Sequence, residues 1–297
     1  MYQSLVDSGE NFRLYVVCFD DCAFDILNKV HSPSLIAISL ASFENEELLR
    51  IKRSRTQSEY CWTCTSFVIA YVLQTYNLSE VTYVDADLYF FDKPSILLDE
   101  FRASGKTVMI TEHRYTPQYD QSATSGIYCV QFMTFKATQS GSEVLHWWQE
   151  KCLEWCYARF EDGKFGDQKY LDDWTERFNC VYVLQHLGGG VAPWNVQQYQ
   201  ISEGPKVNDS KIVFYHFHGL KWLDLNRFDL SGYKLPKKAV RYIYRPYCSS
   251  LKMALHLVQK QWDESFIQGI QGEKWSWKNP ISKIISRWKG TYNVLQG

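Results

Sequence analysis

The sequence has no apolar run long enough to cross a bilayer. Its most apolar stretch, Phe67 to Leu73, falls far short of the roughly 20 residues a spanning helix needs. It also lacks the start of a secretory signal, since Met1-Tyr2-Gln3-Ser4 opens a polar segment with no basic region leading into an apolar one. Charge of one sign is missing too. Lys and Arg number 32 against 33 Asp and Glu, a formal net charge of −1, which excludes the overall basicity of a nucleic-acid binder. Internal repeats and low-complexity linkers are absent. Among nine cysteines, only Cys61-Trp62-Thr63-Cys64 has the CxxC spacing. No second pair and no His pair completes a zinc site, so reduced thiols on a buried helix are expected. Such cysteine usage fits a reducing compartment, and the expected setting is cytoplasmic.

What is present is ordinary in bulk and unusual in one respect. A hydrophobic share of 45% and a charged share of 22% suit a soluble globular protein with a sizeable core. The aromatic share of 16% is high. Aromatic faces stack on sugars and nucleobases, although core packing accounts for most such residues.

Leu14-Tyr15-Val16-Val17-Cys18-Phe19, ending at Asp20-Asp21, reads as a buried first strand, and Leu35 to Leu40 as a second. A basic stretch with Arg50, Lys52, Arg53 and Arg55 follows; a solvated face is its default reading and a phosphate contact the sharper one. Glu59 to Tyr76 has a helical period. Val81 to Val84 is a short β-branched strand, Val108 to Ile110 and Tyr128 to Phe135 are further strands, and Gly141 to Phe160 is the longest helix. Strands alternating with helices predict an α/β fold with a mostly parallel central sheet flanked by helices. Ligands of such sheets bind beyond the carboxyl ends of the strands, where Asp20-Asp21 and Asp85-Ala86-Asp87 fall. From Pro236 onward the pattern turns amphipathic, basic and Trp-rich, giving a C-terminal helical extension over residues 236–297.

Two segments carry chemistry. Asp85 and Asp87, at i and i+2 where an apolar strand runs out, can share one face and hold a hard divalent cation, Mn²⁺ or Mg²⁺. Unpaired acids in so apolar a setting are otherwise costly. Far along the chain, Tyr215-His216-Phe217-His218-Gly219-Leu220-Lys221-Trp222 offers an imidazole for the same cation, a glycine that lets backbone approach phosphate, and a lysine as point charge. A third segment, His186 to Asn195, joins the Gly188-Gly189-Gly190 run to Trp194 and Asn195. It reads equally as a sugar-binding loop, with His186, Trp194 and Asn195 as substrate contacts, or as a tight connection with Trp194 packed inward.

These motifs, with Asp167-Gln168 between them, resemble the GT-A fold glycosyltransferases, nearest the retaining glycogenin-like and bacterial lipopolysaccharide galactosyltransferase group. The resemblance runs in that family's order from Phe12 to Trp222. It implies a Rossmann-like nucleotide-diphospho-sugar transferase domain over residues 1–235, with nucleotide and metal binding in about 12–125 and the acceptor side and closing His loop in about 126–235. It further implies Asp85, Asp87 and His216 as metal ligands. Tyr15, Asp85, Gly219 and Lys221 would be contacts to the nucleotide, and Asp167 and Gln168 would lie at the sugar's anomeric carbon. The expected activity is metal-dependent transfer of a hexose, retaining rather than inverting, from a UDP-sugar to a glycan or lipid-linked acceptor in polysaccharide or lipopolysaccharide assembly. A peripheral contact of the C-terminal extension with the inner face of the membrane belongs to the same expectation. The chain departs from the family in three places. Its lysine follows His216 one residue early, the proline before Trp222 is missing, and Cys129 stands where relatives often carry asparagine.

A sugar nucleotidyltransferase would open with a glycine-rich loop after the first strand, where this chain has Cys18-Phe19-Asp20-Asp21-Cys22. A phosphatase using Asp-X-Asp would carry it on the first strand. A non-catalytic carbohydrate-binding protein on the same fold has no need of an intact set of candidate ligands.

Overall fold

The computed structural model describes residues 1–262, 265–267, 269–270 and 288–296. Strands β1 (Leu14–Cys18) and β2 (Leu35–Ser39) pair in parallel, Leu14 opposite Leu35, through the helix Asp21–Lys29. Asp20 caps that helix, accepting from Ala23 N–H at 2.7 Å, so a carboxylate expected near a ligand is used as an N-cap. Helix Gln57–Thr75 starts on a capping box: Glu59 accepts from Thr56 N–H at 2.8 Å, and its own N–H donates to Thr56 Oγ1 at 3.4 Å. Just before it, Arg55 lies 3.8 Å over the Tyr157 ring, a structural contact rather than a phosphate one.

The remaining strands of the main sheet are β3 (Glu80–Val84), β5 (Val108–Glu112), β6 (Tyr128–Lys136) and β7 (Val181–Val183), with β4 (Leu88–Phe90) between β3 and β5 in the chain. Their order is β3-β6-β5-β7, and β6 runs antiparallel to both β3 and β5. The sheet is therefore mixed, not mostly parallel. Residues 113–127 reverse the chain after β5 without a helical crossover long enough to bring it back to the same end. The connection from β6 through the helix Gln139–Glu154 starts and finishes at one end of the sheet, Phe135 and Val181 both lying beside Val108, so β7 reverses β6 and is thereby parallel to β5. The central strand β6 is buried along most of its length.

Most aromatics are core residues. Phe135, Trp148 and Trp174 are fully buried against one another, with Trp148 and Trp174 edge to face at 5.5 Å. Strand β4 pairs with the Phe214–His216 strand, His216 opposite Leu88.

The C-terminal part begins with Lys237–Ala239, a π-helical turn over Val240–Tyr244 and the helix Arg245–Gln261. Pro246, which has no N–H to continue the ladder, follows directly on the widened turn. The expected helical extension ends as a strand: Val294–Gln296 pairs with Arg227–Asp229, placing Leu295 against Phe228 in a buried cluster. Burial of that apolar side chain outweighs the helical patterning of the segment before it. Trp275 and Trp277, on which the basic-aromatic reading partly rests, lie outside the described residues. Among the described residues no helix is long and apolar enough to cross a membrane.

Candidate metal and substrate site

Asp85 follows directly on β3, and its N–H donates to the Gln131 carbonyl of β6 at 3.0 Å. A tight turn then brings Leu88 N–H to the Asp85 carbonyl at 3.3 Å and sends the chain into β4. Because β4 pairs with the Phe214–His216 strand, His216 arrives beside the turn. Phe217 N–H then closes the join on the Asp87 carbonyl at 3.0 Å. One ligand atom from each of Asp85, Asp87 and His216 lies within 4.8 Å of the other two. Nε2 of His216 is 3.1 Å from Asp87 Oδ1 and 3.9 Å from Asp85 Oδ2. Tyr83, two residues back on β3, donates its phenol to Asp85 Oδ1 at 2.9 Å, which leaves Oδ2 facing His216.

The electrostatics show what the cluster lacks. Burial pushes the Asp85 carboxyl up, and the Asp87 charge pushes the same way. Burial would also raise Asp87, but the charge and hydrogen bond of His216 hold it below the usual carboxylate range. Burial would lower His216, yet Asp87 beside it holds the imidazole well above its ordinary value. No Lys or Arg forms an ion pair with either aspartate among the described residues. Two carboxylate oxygens and one imidazole nitrogen, with a single imidazolium for countercharge, fit a hard or borderline divalent cation.

The walls come from three other segments. Gln131 is fully buried, with its side-chain oxygen 2.8 Å from His216 Nδ1. Trp194, 4% exposed, packs edge to face against His216 and His113 and gives its indole N–H to the His113 carbonyl at 2.9 Å. Buried His113 is pushed down to about 3, so it is neutral at physiological pH. The thiol of Cys129 is buried and lies in hydrogen-bonding contact with His216.

Asp167 comes in from the chain after the Gln139–Glu154 helix. It is 6% exposed, and burial, followed by the charge of Asp85, pushes its carboxyl up to about 7. Its carbonyl accepts the Trp148 indole N–H at 2.9 Å. The structure therefore places Asp167 within electrostatic reach of Asp85. Gln168 gives its amide to the Ser125 carbonyl at 2.7 Å.

Other candidates are placed differently. Lys221 is exposed at the head of the Lys221–Asp224 strand, opposite Asp229, and forms no ion pair with Asp85 or Asp87. Gly219 adopts a positive φ of +77° with open space where a side chain would be. Asn195 is buried, its oxygen accepting from Ala192 N–H and its NH₂ donating to the carbonyls of His113 and Gly190. His186 accepts from Gly188 N–H at 3.0 Å. The segment is tightly built. A Cβ on Gly188 would sit 2.0 Å from the Lys211 carbonyl oxygen, and Gly190 needs its φ of +88°.

Strands β1 and β3 are not paired with each other. A cavity of about 620 Å³ lies between them, within the usual range for small-molecule sites. Tyr15, Phe19, Cys61, Thr65, Tyr83 and Ala86 are among its lining residues, and Ala86 carries it to the aspartate pair. The Tyr15 hydroxyl is buried with no hydrogen-bond partner. Sequence reasoning missed Gln131, Tyr83 and His113. Tyr83 was open to detection, since a tyrosine at i−2 on a strand shares the face of Asp85; Gln131 sits in an apolar run, and His113 in a polar loop, neither of which gives a signal.

No family model matches the chain. The uncharacterized protein YfnD of Bacillus subtilis (strain 168) is 29% identical over 271 residues, covering 87% of this chain and 86% of that protein. The uncharacterized protein YfnF of the same organism is 32% identical over 237 residues, covering 76% of this chain and 78% of that one. Among solved structures, mouse xyloside xylosyltransferase 1 in its apo form is similar at a TM-score of 0.45 and 14% identity, covering 73% of this chain and 89% of its own. A glycosyltransferase involved in glycosylating the major capsid of PBCV-1 gives 0.44 and 11%, over 70% of this chain and 93% of its own. At those scores neither structure bears on what this chain does.

Proposed function

This chain belongs to one family with the Bacillus subtilis protein YfnF, and for it we propose a metal-dependent glycosyltransferase activity. A sugar would move from a nucleotide-diphosphate donor, a UDP-sugar, to a hydroxyl of a glycan or lipid-linked acceptor. The observation that carries this reading is the convergence of Asp85, Asp87 and His216 from segments far apart in the chain, with Ala86, between the two aspartates, lining the cavity between β1 and β3.

A divalent cation, when bound, neutralises the diphosphate and stabilises the charge that develops on it as it leaves. Asp85, Asp87 and His216 would hold that cation, with Tyr83 fixing which oxygen Asp85 presents. Tyr15, with a buried hydroxyl on the cavity wall, suits the nucleoside. Asp167, a buried carboxyl near the aspartate pair, serves one of two tasks. It stabilises positive charge on the anomeric centre in a retaining course, the one the family resemblance implies, or takes the acceptor's proton in an inverting one.

The test is thermal unfolding with Mn²⁺, with UDP and with both. A ligand at a hundredfold excess over its Kd stabilises by about 2.7 kcal/mol. The joint shift should exceed the sum of the separate ones; additive or absent shifts would remove the proposal. Screening nucleotide sugars for Mn²⁺-dependent hydrolysis then identifies the donor.

A lipid-linked acceptor also accords with the surface of the C-terminal helices, where Lys237, Lys238, Arg241 and Arg245 are exposed beside Met253 and Leu257. Cosedimentation with anionic vesicles and not with neutral ones is expected; equal binding to both would sink this part of the reading.

A further inference from the structure

We infer that Gln131 is a positioning residue of the metal site, holding the His216 proton on Nδ1 so that Nε2 is presented to the cation. The inference rests on the metal reading above and concerns a residue that never touches the cation itself.

Gln131 sits where β6 departs from a regular ladder. Between the pairs Met109–Thr134 and Thr111–Cys129, residues Val130–Met133 face Ile110 alone. Such a bulge re-aims side chains and commonly lies beside a functional site. Here it turns Gln131 to both halves of the cluster. Its carbonyl takes the Asp85 N–H at 3.0 Å, and its side-chain oxygen meets His216 Nδ1 at 2.8 Å. One residue thus ties the β3 ligand to the ligand of the Phe214–His216 strand.

An amide oxygen only accepts, so the ring proton between them belongs to Nδ1. The lone pair of neutral His216 is then on Nε2, the atom that faces Asp87 and Asp85. With the proton on Nε2 the ring would donate to the carboxylates and close the position a cation needs. Outer-sphere acceptors do this for metal-bound histidines generally.

The other end of the amide points to the same role. Nε2 of Gln131 is buried with no hydrogen-bond partner, a penalty an apolar side chain would not carry. Gly190 lies against it, a Cβ there standing 3.4 Å from that nitrogen, in ordinary contact. A half-satisfied amide in a buried strand is accounted for by what its oxygen does.

The experiment compares the full-length wild type with Gln131→Met, similar in volume but without an acceptor, and Gln131→Glu, which keeps one. Calorimetric titration with Mn²⁺ alone should show about 10- to 100-fold weaker binding in Gln131→Met and no loss in Gln131→Glu. Ring ¹⁵N spectra of the metal-free protein, at a pH where His216 is neutral, should place the proton on Nδ1 in the wild type. Equal Mn²⁺ affinity in wild type and Gln131→Met overturns the inference while leaving the metal site standing. So does a wild-type proton on Nε2, or a loss in Gln131→Glu as large as in Gln131→Met. A wild type that binds no Mn²⁺ overturns the metal reading and this inference together.

Discussion

Asp87 and His216 are joined twice. Asp87 Oδ1 lies 3.1 Å from His216 Nε2, and the Asp87 carbonyl accepts the N–H of the residue after His216 at 3.0 Å. The side-chain contact is therefore fixed by the backbone and does not depend on a flexible pairing of long side chains.

Asp87→Asn should lower sugar transfer by more than about 100-fold, because it removes one of two proposed anionic ligands, with which no Lys or Arg pairs among the described residues. The side chain is 44% exposed, so the fold should tolerate the change. Turnover within a few fold of wild type, measured at saturating Mn²⁺, would remove the case for the metal site.

His216→Ala should abolish measurable Mn²⁺ binding, and His218→Ala should weaken it far less. His216 is buried with partners on both ring nitrogens, whereas His218 is exposed with its ring centre 5.9 Å from that of His216. If titration found His218→Ala the more damaging of the two, the assignment of ligands in this loop would be wrong.

Asp167 should leave a signature in the pH dependence of stability. Its folded-state value of about 7 lies above that of an unfolded aspartate. The stability it allows is fully present below about pH 4 and is lost as pH rises towards and through about 7, by ~4 kcal/mol at most. In EDTA, Asp167→Asn should therefore flatten this loss and be relatively more stable at pH 8 than at pH 4. Parallel pH profiles of the two proteins in urea unfolding would contradict the buried, charge-coupled carboxyl.

Gly188→Ala should destabilise strongly, because the added methyl would stand 2.0 Å from the rigid backbone oxygen of Lys211. A loss of at least 1–3 kcal/mol is expected for such overpacking, read as a fall in Tm. An unchanged Tm would mean that this connection is looser than described.

The parts of this protein legible in its sequence are those where local pattern and final role coincide. Asp85 and Asp87 stand out because two acids follow an apolar strand, and the structure brings His216 to them as the motif order implied. Strand direction was not legible. The alternation of strands and helices is the same whether β6 runs parallel or antiparallel, and only the connection over residues 113–127 decides it. For Trp194 and Asn195 the sequence leaves two readings open, because an aromatic beside an amide looks the same whether it faces a ligand or closes a loop. In the structure Asn195 is buried, with three hydrogen bonds between its side chain and the backbone. Gln131 was invisible, since nothing in Val130-Gln131-Phe132 announces a bulge.

The pairing of β4 with the Phe214–His216 strand has a consequence for the growing chain. Asp85 and Asp87 leave the ribosome early, while the imidazole that completes their set is still to be synthesised. Until it emerges, β4 lacks this neighbour and the two carboxylates lack their one countercharge. Closing so long a stretch of chain is among the slower steps of folding. A chain stalled before residue 216 therefore carries both aspartates and cannot assemble the proposed site.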